Sequence, residues 1–388
     1  MNPPHLTPHP TLADSPPARR TVHIVDDALF DQHRSRGHHP ERPERLGAAR
    51  RAVERCVAAG LGATRLTSRD ASDEEIVRAH APEYLEALER LRGHHAALDL
   101  DTYLAPASVD AARRAAGSAV ALVEALLAGS TTPDRATGMA LVRPPGHHAT
   151  RDTGMGFCLL NNVAIAALAA LEVGGLSRVA VIDFDVHHGN GTQDIFWRDP
   201  RALFISLQQW PCYPGTGAVA EIGEGPGAGH TVNIPLSEGA GDAVYEAAFN
   251  EIVVPLLDEY APELILVSAG FDAHRRDPLA GMDLTETGYA SMARKLAGAA
   301  DRTAHGRLGL VLEGGYDLAA LEGSIIAVLL AVAGAEDLSI EIAGPSSAGP
   351  SSVGPSSVGP SSVQPVSPRH RAELDRARHQ ALRHWTTL

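Results

Sequence analysis

Asp183, Asp185, His187 and His188 follow one another at the end of a short apolar run, V-A-V-I-D-F-D-V-H-H-G-N-G-T-Q from Val179 to Gln193. An acid and an imidazole one residue apart make half of a divalent-metal site with mixed oxygen and nitrogen ligands. If the chain stays extended, Asp183, Asp185 and His187 share one face, because strand side chains alternate with period two. A nearly continuous apolar run reads as a strand buried on both faces, as in a parallel sheet covered by helices. Ligands bind such sheets just outside the carboxyl ends of the strands. Taken alone, D-x-H is more often a capping Asp beside solvated loop histidines.

Other apolar runs end in the same kind of residue. Ala136–Arg143 runs into P-P-G-H-H, Ala202–Leu207 into S-L-Q-Q, Glu263–Ala269 into G-F-D-A-H, and Leu308–Leu312 into E-G-G-Y-D. These read as strands, with Arg178–Val186 as the central one and Thr21–Asp27 as the first. Between them the spacing predicts helices over Arg45–Ala59, within Ala71–Arg92, and over Ser108–Ala128, Asn162–Glu172, Asp242–Tyr260 and Thr285–Ala300. Strands alternating with helices imply an α/β fold with a mostly parallel sheet, and the motifs then gather at one rim.

Composition narrows the class. The 388 residues carry a formal charge of −14, which leaves no basic stripe to neutralise phosphates and argues against a nucleic-acid partner. It suits cationic substrates such as lysine tails or polyamines. Lys295 is the only lysine, which points to genome composition rather than function. The three cysteines, Cys56, Cys158 and Cys212, form no close pair, so neither a disulfide framework nor a thiolate zinc site is expected. A reducing, cytoplasmic setting fits. The N-terminus lacks the apolar run of a signal peptide, and no run reaches the ~18–20 residues that span a membrane.

The chain divides into four parts. Residues 1–20 are Pro-rich and expected to be disordered. Residues 21–342, which hold the alternating strands and helices, are expected to fold as one domain. Residues 343–368 repeat the unit G-P-S-S-V and close variants, which offer nothing to bury and read as a flexible linker. Residues 369–388 carry Leu374, Ala377, Leu382 and Trp385 at roughly helical spacing and are expected to pack back on the domain.

Seven motifs occur in order: R-P-P-G-H-H-A (Arg143–Ala149), G-F-C-L-L-N-N (Gly156–Asn162), D-F-D-V-H-H-G-N-G-T-Q (Asp183–Gln193), Y-P-G-T-G (Tyr213–Gly217), S-A-G-F-D-A-H (Ser268–His274), D-P-L-A-G-M (Asp277–Met282) and L-E-G-G-Y-D (Leu312–Asp317). Together they resemble the zinc-dependent histone deacetylase family, which includes bacterial amidohydrolases and acetylpolyamine amidohydrolases. With H-P-E-R-P near the N-terminus, the resemblance spans roughly Thr21 to Gly334. It implies the arginase- and deacetylase-like fold, a three-layer αβα arrangement around a mostly parallel sheet.

Residue by residue, the resemblance implies one zinc per chain held by Asp185, His187 and Asp272. Two carboxylates and an imidazole are not selective, so Fe(II) or Co(II) would also fit. It implies His148 as general base and His147 as its electrostatic partner or acid. Asp183 then holds His147 charged, while Asn190, an amide, leaves His148 neutral. Tyr316 is implied as the donor that stabilises the oxyanion. Gly156, Phe157, Tyr213 and Leu279 are implied to contact substrate in a tunnel, with Asp101 at its rim. The segments Asp183–Asp185–His187 and Ser206–Leu207 resemble the family's potassium site. Gln208 stands where relatives usually carry His. The loop from Asp27 to Pro43, with His33, His38 and His39, either shapes the pocket mouth or offers a homo-oligomer contact.

The expected substrate is an acetylated lysine in a peptide or protein. An acetylated polyamine is the alternative, weakened by Leu279 where polyamine-directed relatives can carry Glu. A non-catalytic binder of acylated lysine and a dinuclear ureohydrolase are two further readings.

Overall fold

The computed structural model describes residues 19–128, 137–342, 351–353 and 365–388. Nearly all of the expected N-terminal tail and most of the G-P-S-S-V linker lie outside them.

Eight strands form the main sheet: β1 (Val22–Val25), β2 (Ala63–Leu66), β3 (Thr137–Ala140), β4 (Val179–Asp183), β5 (Ala202–Gln209), β6 (Thr231–Leu236), β7 (Ile265–Ala269) and β8 (Leu308–Leu312). Their order is β2-β1-β3-β8-β7-β4-β5-β6, and every pairing is parallel. Every residue of β3, β4, β7 and β8 is buried, so both faces of the sheet are covered. This is the arginase- and deacetylase-like arrangement. The four strands that lead into the P-P-G-H-H, D-F-D-V-H-H, G-F-D-A-H and E-G-G-Y-D turns are consecutive neighbours, β3-β8-β7-β4. Parallel pairing points all four ends the same way, and so the motifs meet.

Helices form two packed groups. Helix α2 (Ser108–Ala128, with α1 at Glu44–Ala58) packs on α3 (Asn162–Glu172). Helix α4 (Glu286–Thr303) packs on α5 (Leu318–Ala333), which also packs on α1. The α5 sequence is apolar all round, and it is buried accordingly. Asp317 caps its start by accepting the Ala320 N–H at 2.7 Å, which fixes the turn just after Tyr316.

Several boundaries differ from expectation, each for a local reason. The central strand stops at Asp183 rather than Val186, because side chains replace the ladder beyond it. Asp183 Oδ1 accepts the Asp185 N–H at 3.1 Å, and Asp185 Oδ1 accepts the His187 N–H at 2.9 Å. Asp183, Asp185 and His187 therefore do not share one extended face. Ala71–Arg92 holds two helices, Asp73–Ala79 and Pro82–Arg90, since the residue before Pro82 is held extended. The helix over Asp242–Tyr260 passes through a π-turn at Phe249–Val253, just before Pro255. Strands β2 and β6 carry no strong sequence signal. The first is largely exposed, and the second contains Pro235, tolerated at a sheet edge.

Ser351–Val353 departs from the linker reading and pairs antiparallel with Ile340–Ile342. The triplet S-S-V has neither Gly nor Pro and so can complete a ladder. Helix α6 (Pro368–Ala381) covers the β6 edge, with Leu374 and Ala377 buried. The Glu373 carboxylate accepts the Ser237 N–H at 3.0 Å, and Trp385 Nε1 donates to the Gly229 carbonyl at 2.9 Å.

Candidate active site

Beyond the four strand ends lies a cavity of about 210 Å³. His147, His148, His187 and Tyr316 line its inner part, and Gly156, Phe157, Tyr213, Leu279 and Asp101 line the rest. Tyr213, Leu279 and Asp101 are exposed and form the mouth. Asp183, Asp185, Asp272 and Asn190 are not in the wall. They stand behind it and hold the groups that are.

Asp185, His187 and Asp272 each bring one ligand atom to a common point, all within 4.8 Å of one another. His187 Nδ1 lies 3.2 Å from Asp185 Oδ1 and 3.3 Å from Asp272 Oδ2. Backbone N–H groups orient the two carboxylates. Asp272 Oδ1 accepts from Val186 at 2.9 Å, and Asp185 Oδ2 accepts from Gly314 at 2.8 Å. Asp272 Oδ2 is buried and receives no well-aligned hydrogen bond; its neighbour is His187 Nδ1 at 3.3 Å, which pairs with it only if that ring is protonated. A buried carboxylate oxygen left unpaired is costly, so this atom fits a cation ligand rather than a helix cap. Two glycines make the space: a Cβ on Gly270 would overlap Asp185 Oδ2, and one on Gly314 would overlap Asp272 Oδ2.

The tandem histidines sit side by side, with ring centroids 4.0 Å apart. Their partners differ. His147 Nδ1 meets Asp183 Oδ2 at 2.9 Å. Burial opposes its charged form, but the Asp183 and Asp185 charges outweigh burial and push its pKa up to about 10. His148 Nδ1 meets Asn190 Oδ1 at 2.8 Å. The Asn190 amide nitrogen faces the His148 carbonyl at 3.4 Å, which can only accept, and this fixes the amide's orientation. His148 Nδ1 therefore carries the hydrogen and Nε2 the lone pair. Burial, then the charges on His147 and His187, hold His148 well below the ordinary imidazole range. The pair is one charged and one neutral ring.

Tyr316 is buried apart from its exposure to the cavity, and the Arg45 guanidinium lies over its ring at 4.9 Å. The Tyr316 N–H donates to Asp277 Oδ2 at 2.6 Å. Phe157 stands edge-on to Tyr316 at 5.9 Å, and Tyr213 edge-on to His148 at 5.1 Å. The backbone makes this wall tight. Gly156 has φ +55°, and a Cβ there would strike the His148 ring; Phe157 follows at φ +71°, rare for a side-chain-bearing residue.

Some site residues gave no sequence signal. Arg45 donates from Nε to the Gly315 carbonyl at 2.7 Å and from Nη2 to the Glu313 carbonyl. Arg143 and Arg45 both pair with Glu41, all three fully buried. The Arg143 charge overcomes burial and holds Glu41 well below the carboxylate range. His39 bonds the Asp101 carbonyl at 3.0 Å and packs edge-on to Phe157 at 4.7 Å, so the H-P-E-R-P loop supports the pocket mouth from behind. An Arg–Glu pair within a Pro-rich loop reads as solvated until the strand ends are seen to enclose it. Gln208 is buried and donates to the Gly217 carbonyl at 2.8 Å, so it steadies the Y-P-G-T-G turn.

The comparisons agree with this geometry. The histone deacetylase domain model matches residues 39–332. Histone deacetylase 14, chloroplastic, of Arabidopsis thaliana is 41% identical over 286 residues, 72% of this chain and 68% of that protein. The histone deacetylase-like amidohydrolase of Pseudomonas aeruginosa is 42% identical over 301 residues, 76% of this chain and 77% of its own length. The human polyamine deacetylase HDAC10 is 41% identical over 325 residues, 79% of this chain but 46% of that protein. The crystal structure of the HDA15 HD domain superposes with a TM-score of 0.81 at 33% identity, over 95% of this chain and 97% of that one. With most of its length matched by the family model and its strand-end motifs gathered in one pocket, the chain belongs to the histone deacetylase family.

Proposed function

We propose that this family hydrolase is a zinc-dependent deacetylase that cleaves the acetyl amide of acetyl-lysine side chains or similar acylated amines. The observation that carries the reading is the unpartnered Asp272 Oδ2, fully buried beside His187 Nδ1 and Asp185 at the floor of the cavity. Asp185, His187 and Asp272 would hold the metal. The set suits zinc and would also take Fe(II) or Co(II). Bound there, the metal supplies Lewis-acid polarisation of the acyl carbonyl and of the attacking water.

The chain's own groups do the rest. His148 Nε2, with its lone pair free, takes the proton from the attacking water, and a proton passes from the imidazole pair to the amine nitrogen as the C–N bond breaks. His147, held charged by Asp183, offsets the negative charge that develops beside it. The Tyr316 hydroxyl donates to the oxyanion. Phe157 and Tyr213 flank the aliphatic stem of the substrate and exclude water. A potassium ion behind the floor is supported by Ser206 Oγ, buried and unpartnered on β5 directly opposite Asp183.

An acetylated polyamine is the second reading, favoured by the name of the human relative, a polyamine deacetylase. Leu279 at the mouth gives a distant ammonium no counter-charge. The test is turnover by zinc-loaded protein on acetyl-lysine peptides and on acetylated polyamines, with metal counted per chain. Peptide turnover at one metal per chain is expected. Polyamine turnover alone would replace the lysine reading. No turnover at one metal per chain would leave a binding protein, and two metals per chain would point to a ureohydrolase.

A further inference from the structure

The Glu313 carboxyl takes no part in the chemistry above, yet it is fully buried between the two turns that carry it. Glu313 follows β8 and opens the turn to Tyr316. The sheet neighbour of β8 is β3, which leads into R-P-P-G-H-H. Past the ends of these strands the ladder stops, and the N–H groups of Gly146 and His147 need other acceptors. One oxygen serves both: Glu313 Oε2 accepts from Gly146 at 2.6 Å and from His147 at 3.2 Å. The Glu313 carbonyl is itself held by Arg45, which also holds the Gly315 carbonyl. Its other carboxyl oxygen, Oε1, is buried and has no partner.

We propose that Glu313 is a positioning residue, a cross-brace that ties the Tyr316 turn to the His147–His148 turn. It sets the separation between the hydroxyl that donates to the oxyanion and the imidazole that takes the proton. An oxygen acceptor is what the brace needs, because Oε2 meets two neutral N–H groups. An amide oxygen would serve as well. The effect on turnover rests on the deacetylase reading. The brace itself does not.

The experiment compares Glu313→Leu and Glu313→Gln with wild type, each zinc-loaded and checked for one metal per chain. Steady-state kinetics on an acetyl-lysine peptide are read together with hydrogen exchange at the Gly146 and His147 amides. Glu313→Leu should lower kcat by on the order of 10²-fold with KM unchanged, as expected when reacting groups are misplaced but binding is kept. The two amides should lose protection in that variant. Glu313→Gln should restore both kcat and protection. A folded Glu313→Leu with wild-type kcat and protected amides overturns the proposal. So does a folded Glu313→Gln as impaired as Glu313→Leu, since charge would then be the operative property. If Glu313→Leu does not fold, Glu313→Gln decides alone: retained kcat and protection support the brace, and their loss overturns it. If wild type itself shows no turnover, the deacetylase reading fails, and amide exchange in the variants still decides the brace.

Discussion

The floor of the cavity and its mouth are built from different materials. At the floor, Asp185, Asp272, His147 and His148 are almost wholly buried and follow strand ends whose register is fixed by the sheet. At the mouth, Asp101, Tyr213 and Leu279 stand exposed on loops. Hydrogen bonds from neighbouring turns orient the floor side chains, while Leu279 is 37% exposed. The difference teaches where each property resides. On the deacetylase reading, reaction type would be set by groups that cannot shift without disturbing the sheet. Substrate choice is set by groups that can be exchanged with little structural consequence.

If that contrast is right, substitutions at the floor should be all-or-none and those at the mouth graded. The largest effect is expected for Asp272→Ala. Removing the unpartnered oxygen should abolish both stoichiometric zinc and turnover, read by metal analysis and peptide assay on the same sample. Full metal with normal turnover would show that Asp272 is not a ligand, and the floor would lose its defining atom.

Asn190→Asp should have a smaller and more specific effect. A carboxylate at hydrogen-bonding range favours the imidazolium, so the His148 pKa should rise. His148 must be neutral to act as base. The acid limb of the pH–rate profile should therefore move to higher pH, with about a tenfold loss of neutral base for each unit by which the pKa exceeds the assay pH. An unmoved limb with zinc retained would remove His148 from the base role and turn attention to His147 and Asp183.

The smallest effect is expected at the mouth. Leu279→Glu should raise kcat/KM for acetylated polyamines relative to the peptide by only about 1.5- to 5-fold, because an exposed ion pair contributes ~0.2–1 kcal/mol. Zinc content should not change. A collapse of peptide turnover in this variant would mean that the mouth is coupled to the floor after all.

The strand pattern located the floor residues, because each follows an apolar run, while their roles came from the resemblance carried by the seven motifs. Asp272 and Tyr316 are one short turn past β7 and β8, so a correct strand assignment nearly places them. What it could not reveal were contacts made by residues far apart in the chain. The Arg45 bonds to the carbonyls of Glu313 and Gly315 join positions 268 and 270 residues apart, and no local periodicity encodes them. Strand ends were misplaced for a related reason. Asp183 and Asp185 cap the backbone with their own side chains, and side-chain capping leaves the same apolar pattern as a continuing strand. Edge strands β2 and β6 were illegible because one is solvated and the other interrupted by Pro235, and neither shows the buried-strand signature.

Asp183 has two oxygens and two assignments. Oδ2 holds His147, and Oδ1 accepts the Asp185 N–H that begins the turn bearing the metal ligands. On the deacetylase reading, the metal half and the proton-transfer half of the pocket would therefore be pleiotropic through a single residue. A laboratory selection for altered metal preference that touches this turn will also screen for proton-transfer competence, whether or not the assay asks for it. A substitution at Asp183 would then be expected to disturb both traits together.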